Sequence, residues 1–209
     1  GDALTTGAGN VALGYNALST ENTGGKNTAI GHESLTNLNF DGDAYNTAVG
    51  FNSGLSVTTG VQNTLIGGLA GDALTTGGEN VAIGYAALSA EDDHGQNVAV
   101  GHNALASLNA GANGLNTAVG YFAGLNLTTG VQNTIVGGKA GDALTTGAYN
   151  IAVGYSALSS EDTGGRSTAI GYFALSSQNN DNDNYNIAIG HSACEILTTG
   201  TKNTIIGGL

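Results

Sequence analysis

Apolar side chains recur along this chain in short bursts. Asn10-Val11-Ala12-Leu13-Gly14 is the first. Near copies begin at Asn27, Asn46, Asn63, Asn80, Asn97, Asn116, Asn133, Asn150, Ser167, Asn186 and Asn203, twelve in all. The second and fourth positions are almost all Val, Thr or Ile. They share parity, so each burst predicts a short strand with both side chains on one face. β-Branched residues there suit a pleated, buried face. The third position points the other way: Ala12, Ala29, Ala48, Leu65, Ala82, Ala99, Ala118, Ile135, Ala152, Ala169, Ala188 and Ile205. A strand apolar on both faces is packed on both sides or keeps a flat face for a partner. The Ala face, interrupted by Leu65, Ile135 and Ile205, is therefore the expected contact with another chain or layer.

The bursts keep a strict rhythm. Successive starts lie 17, 19, 17 and 17 residues apart, and the series then repeats, so four repeats make a super-repeat of 70. A Gly closes every burst (Gly14 through Gly207), as a corner with positive φ or a close backbone approach would require. One column on stands a mostly aromatic series, Tyr15, His32, Phe51, Gly68 and their equivalents, followed by an Ala/Ser column. Leu18, Leu35, Leu88, Leu105, Leu158 and Leu175 are candidate interior side chains, and the remainder is turn material such as Thr-Thr-Gly. One strand per repeat, with turns between, predicts an all-β parallel β-solenoid (β-roll or β-helix) of twelve coils of 17–19 residues. It forms a single domain over 1–209, with super-repeats 1–70, 71–140 and 141–209. At the spacing of paired strands, twelve coils make a rod of roughly 55–60 Å. The Asn column (Asn10, Asn27, Asn46, Asn63, Asn80, Asn97, Asn116, Asn133, Asn150, Asn186, Asn203) is readable as an amide ladder between coils or as capping of separate turns. Because the chain starts and stops near the same phase of the repeat, it reads as a segment of a longer or processed chain.

Composition narrows the partners. Gly is 36 of 209 residues without a G-X-Y period, which excludes collagen. Net charge is −12 with four basic residues, Lys26, Lys139, Arg166 and Lys202, a surface that repels phosphate backbones and argues against nucleic acid. There is no apolar run near 18 residues, so no membrane insertion is expected. Cys194 stands alone, so no disulfide framework is expected.

The run Asn27-Thr28-Ala29-Ile30-Gly31-His32 resembles the head repeats of YadA-like trimeric autotransporter adhesins. Asn80-Val81-Ala82-Ile83-Gly84-Tyr85-Ala86-Ala87-Leu88, with Thr-Thr-Gly between units, resembles the repeat regions of phage and bacterial tail-fibre-type proteins. The resemblance covers essentially the whole chain. It implies a parallel β-roll, homotrimeric, with the small strand residues Ala12, Ala29, Ala48 and Ala82 facing a three-fold axis.

Chemistry-bearing residues are few. His32, His102 and His191 are spread along the aromatic column and His94 lies in a turn, so they read as surface or stacking residues. Asp41-Gly42-Asp43 and Asp181-Asn182-Asp183 are oxygen-rich turns. They make Asp41, Asp43, Asp181 and Asp183 candidate Ca²⁺ ligands, although the calcium-loop pattern ending in a bidentate Glu is missing. Glu91-Asp92-Asp93 and Glu161-Asp162 read as solvated turns. Thr5-Thr6, Thr58-Thr59, Thr75-Thr76 and their equivalents suggest an ice-ordering array. No phosphate loop and no Gly-x-Ser-x-Gly elbow occurs, so no enzyme is expected. The expectation is a structural fibre or stalk outside a cell or on a virion, self-associating as a trimer or end to end. An adhesin-type module for a glycan, a cell-surface receptor or ice is the alternative.

Overall fold

The structure is a computed structural model and describes residues 1–208; Leu209, which ends the third super-repeat, lies outside the described residues. Twelve three-residue strands follow one another: β1 (Val11–Leu13), β2 (Thr28–Ile30), β3 (Thr47–Val49), β4 (Thr64–Ile66), β5 (Val81–Ile83), β6 (Val98–Val100), β7 (Thr117–Val119), β8 (Thr134–Val136), β9 (Ile151–Val153), β10 (Thr168–Ile170), β11 (Ile187–Ile189) and β12 (Thr204–Ile206). They form one parallel sheet in chain order. Each strand pairs residue for residue with the next, as in Val81↔Val98, Ala82↔Ala99 and Ile83↔Val100. A parallel neighbour one repeat away requires the chain to circle once per repeat. The fold is the expected β-solenoid of twelve coils, and the three longer turns are absorbed without loss of register. Among the described residues no helix is long and apolar enough to cross a membrane.

The strand faces are the reverse of the sequence-based expectation. Ala29, Ala48, Leu65, Ala82, Ala99, Ala118, Ile135, Ala152, Ala169 and Ala188 are fully buried in the one hydrophobic core. They are not a three-fold seam or a contact with another chain. Ala12 and Ile205 are exposed because they sit in the two terminal coils. The β-branched columns face outward instead. The physical reason is the narrow interior: each coil must also house Ala17- and Leu18-type side chains, leaving room for a methyl on the strand.

The exceptions prove the volume argument. Leu18, Leu35, Leu88, Leu105, Leu158 and Leu175 hold positive φ of 50–55° and turn inward. In the third and fourth coils of the first two super-repeats that column becomes Gly54, Gly71, Gly124 and Gly141, and the strand of the fourth coil supplies Leu65 or Ile135; in the third super-repeat Cys194 stands in this column. A Cβ at Gly54 would lie 2.8 Å from Leu65 Cδ1, and one at Gly71 2.7 Å from Leu65 Cδ2. The periodic break in the Ala face is thus a swap inside the core, with the large side chain moved from the turn to the strand. The Gly that ends each strand is required for closeness: Gly84 has φ of 136°, and a Cβ there would fall on the Gly101 carbonyl.

The Asn column is buried and forms a ladder, mostly from side chain to backbone. Each Oδ1 accepts the N–H of the next Asn, as from Asn63 to Asn80 (3.0 Å) and from Asn133 to Asn150 (2.9 Å). Each Nδ2 donates to a turn carbonyl, as Asn63 to Gly77 (2.9 Å). Ladder and turn cap are therefore one device. Where Ser167 replaces Asn, Gln178 stands in the position of Leu38 and Leu108. Gln178 Nε2 donates to Ser167 Oγ (2.9 Å), and Asn186 Nδ2 donates to Gln178 Oε1 (2.7 Å). The break is repaired by a second polar residue.

Candidate functional site

Two regions carry chemistry: the outer sheet face and the turn that holds Glu91. The outer face presents two columns, the first and third residues of each strand. Leu13 is 66% and Ile66 37% exposed, and Val119, Ile151, Ile170, Ile187 and Ile206 are also exposed. Beside them run three stacks of rings. Tyr15, His32 and Phe51 have centroids 5.1 and 5.3 Å apart; Tyr85, His102 and Tyr121, 5.3 and 5.5 Å; Tyr155, Tyr172 and His191, 5.5 and 5.2 Å. These spacings suit offset or tilted ring pairs. Gly68 and Gly138 interrupt the series once per super-repeat. Three of the four histidines are members of these stacks.

The column just before each Asn holds a feature that sequence reading missed. Lys26 reaches Tyr45, its Nζ 2.9 Å from the hydroxyl and 5.0 Å from the ring centroid, and pairs with Asp43 at 2.8 Å. Arg166 sits 4.6 Å from the Tyr149 ring and 5.9 Å from the Tyr185 ring, and pairs with Asp183 at 2.8 Å. The hydrogen bond to Asp43, with that to Tyr45, holds the Lys26 ammonium well above its usual range. The available signal was the alternation of cation and Tyr at this single register position.

These pairs engage two of the candidate calcium ligands. Asp43 and Asp183 are occupied by Lys26 and Arg166. Asp41 accepts from Thr23 Oγ1 (2.9 Å) and Asp181 from Thr163 Oγ1 (3.2 Å). The four carboxylates tie coils together and are not gathered around a common point. The Thr pairs are also engaged: Thr58 and Thr128 hydroxyls donate to the Thr75 and Thr145 carbonyls one coil on (3.3 and 3.1 Å).

The grouping that the structure does make is Glu91, Asp92 and His94, with one ligand-type atom from each lying within 4.8 Å of the others. Sequence reading placed this turn in solvent. Instead Glu21, Glu91 and Glu161, equivalent in the three super-repeats, are fully buried. Glu21 Oε1 accepts the Gly24 N–H (2.8 Å) and Oε2 the Phe40 N–H (3.1 Å). Glu161 is satisfied by the Gly164 N–H (2.8 Å), Gln178 Nε2 and Asn184 Nδ2 (2.9 Å each). Glu91 Oε2 accepts the Ala110 N–H (3.2 Å), but its Oε1 has no hydrogen-bond partner, and neither has the buried Nδ1 of His94, 3.5 Å away. Burial pushes the Glu91 carboxyl up.

Comparison with known proteins adds no assignment. No protein-family model matches the chain. No curated protein and no solved structure matches it either.

Proposed function

We propose that this chain is a rigid structural element, a fibre shaft or stalk displayed outside a cell or on a virion surface. The observation that carries the reading is the unbroken sheet from β1 to β12, each coil resting only on its neighbours in fixed register. Such an assembly resists bending and sets distance by its number of coils. Its work is mechanical and includes no catalytic step. The resemblance of the repeats to adhesin heads and tail-fibre-type regions supports the setting. Self-association, as a trimer or end to end, belongs to the same proposal. Its support is the apolar outer face.

The test is length. Deleting residues 71–140 joins Ala70 to Gly141 and recreates the junction found at Ala70-Gly71. The shortened chain should remain a folded rod, about 19 Å shorter in electron micrographs at the coil spacing of paired strands. Collapse into a particle whose length does not track coil number would overturn the reading.

A second reading, an adhesin-type module for a glycan, a receptor or ice, is favoured by the exposed ring stacks. Flat aromatic faces such as Phe51 (56% exposed) and Tyr121 (52%) suit the apolar faces of sugar rings. Glycan binding that is lost on replacing Tyr85 and Tyr121 by Ser would support it. The absence of both glycan binding and thermal hysteresis would leave the structural role alone.

A further inference from the structure

We propose that Glu91, Asp92 and His94 form a single binding site for a divalent transition-metal ion of the zinc type, placed in one of three otherwise equivalent turns. The comparison within the chain carries the argument. At Glu21 and Glu161 the buried carboxylate is closed by the N–H of Gly24 and Gly164 and by neighbouring coils. In the middle super-repeat His94 stands where those glycines stand, Leu108 where Gln178 stands and Gly114 where Asn184 stands. The two side-chain donors that reach Glu161, Gln178 Nε2 and Asn184 Nδ2, thus have no counterpart at Glu91, and, unlike the turn of Glu21, this one adds an imidazole beside the carboxylate. What remains is a fully buried carboxylate oxygen and a buried ring nitrogen, both without a hydrogen-bond partner and 3.5 Å apart. An unsatisfied buried carboxylate is costly unless a cation completes it.

The donor set selects the ion. Two carboxylates and one imidazole suit Zn²⁺, which takes oxygen and nitrogen ligands at about 2.0–2.2 Å. Two ligands of a tetrahedral ion stand about 3.3 Å apart at those lengths, close to the Glu91–His94 separation. Ca²⁺ asks for six to eight oxygens, which this turn does not gather. Asp92 Oδ1 accepts the Asp93 N–H (2.7 Å), leaving Oδ2 for the ion. Asp93 itself is held by the hydroxyls of Thr75 and Thr76 and stays outside the set.

The frame is already rigid. The Asp92 carbonyl accepts the Thr75 N–H (2.7 Å), the His94 carbonyl accepts Asn80 Nδ2 (3.2 Å), and Glu91 Oε2 accepts the Ala110 N–H. Three contacts from the adjoining coils thus fix all three residues before any ion arrives. Three protein ligands leave a fourth position for water or a neighbouring group.

The experiment is Zn²⁺ titration of the full chain without a polyhistidine tag, by calorimetry and by melting. One Zn²⁺ per chain should bind saturably and raise the melting temperature, an increase that EDTA removes. H94G installs the residue found in the two sister turns, so its fold is secure, and it should weaken Zn²⁺ at least tenfold. D92N, which retains the backbone contacts, should also weaken it. A variant with His32, His102 and His191 changed to Gln should bind as before. Co²⁺ should give visible absorption bands in the parent chain that H94G lacks. No saturable Zn²⁺ binding, equal binding by H94G, or a preference for Ca²⁺ would each overturn the site. None of these outcomes would touch the rod reading, which rests on coil stacking alone.

Discussion

The inner and outer faces of the sheet are made by the same three-residue strands, yet they obey different rules. Inside, Ala82 and Ala99 sit in register under the turn residues Leu88 and Leu105, and a larger strand residue appears only where the turn gives up its side chain. Outside, Val, Thr, Ile and Leu exchange freely from coil to coil, as at Thr47, Thr64 and Val81. Buried volume is shared between adjacent coils, Leu35 and Leu65 both reaching the space at Gly54, while the outer columns conserve only shape. Local apolarity therefore misleads here: the more hydrophobic face of the strand is the one in solvent. Packing close to crystal density explains it, since the space inside each strand is already filled by large side chains of its own turn or of the adjoining coils.

The strongest way to break this contrast is at Leu65. Leu65→Ala should cost about 2–5 kcal/mol by opening a cavity in a core that cannot collapse while the backbone hydrogen bonds between coils hold their spacing. Adding Gly71→Leu restores the pattern of Ala82 with Leu88 in the next coil, where Leu88 holds φ of 55°. Gly71 itself stands at φ of 57°, so the leucine enters a turn already shaped for it. The double variant should recover more than half of the loss in urea unfolding. Additive losses would show that the swap is not a volume exchange.

A somewhat smaller effect is expected in the buried polar column. Asn97→Ser removes the acceptor of the Asn116 N–H and leaves buried backbone groups open, at a cost of about 1–3 kcal/mol. Combining it with Leu108→Gln copies the arrangement of Ser167 and Gln178 from the third super-repeat. Thermal melting should show the pair to be more stable than Asn97→Ser alone. If the glutamine deepens the loss, the repair inferred at Ser167 is wrong.

The border between the faces should respond to pH. Asp72 and Asp142 are half-buried, and burial pushes both carboxyls up from the ordinary value of 3.8. The folded chain then holds a proton more tightly than the unfolded one. Stability from these groups is present below the unfolded value and is lost as pH rises through the folded one. Partial exposure limits the effect to a few tenths of a kcal/mol. Asp72→Asn and Asp142→Asn should flatten the melting temperature between pH 4 and pH 6, and a profile identical to the parent would refute it.

Much of this was legible in the chain, and for a physical reason. A strict repeat forces equivalent residues into equivalent places, so the spacing of Asn10, Asn27 and Asn46 is enough to specify stacked coils and a parallel sheet. The direction of the strand faces was not legible, because parity separates two faces without saying which is inside. That depended on Leu18-type residues turning inward at positive φ, a property of the turns. The turn at Glu91 was misread for a related reason. Its charges suggest solvent, but a buried polar column beside the Asn ladder admits a carboxylate at Glu21, Glu91 and Glu161. The one informative sign was His94, where both sister turns have glycine.

The smallest change in stability, and the sharpest test of the outer face, comes from replacing exposed apolar residues. Ile66, Val119 and Ile170 lie on one outward column, each exposed by more than a third. Their inward neighbours Leu65, Ala118 and Ala169 are fully buried and untouched by the substitution. Changing all three to Lys should alter the melting temperature of the isolated chain little, since exposed positions away from packed features usually move stability by no more than about 0.5 kcal/mol each. The same charges would be buried in any sheet-to-sheet contact, where an unpaired ammonium is costly. Sedimentation should therefore show the triple variant shifted towards monomer at concentrations where the parent associates. Association undiminished by three lysines would exclude this face as the route to assembly.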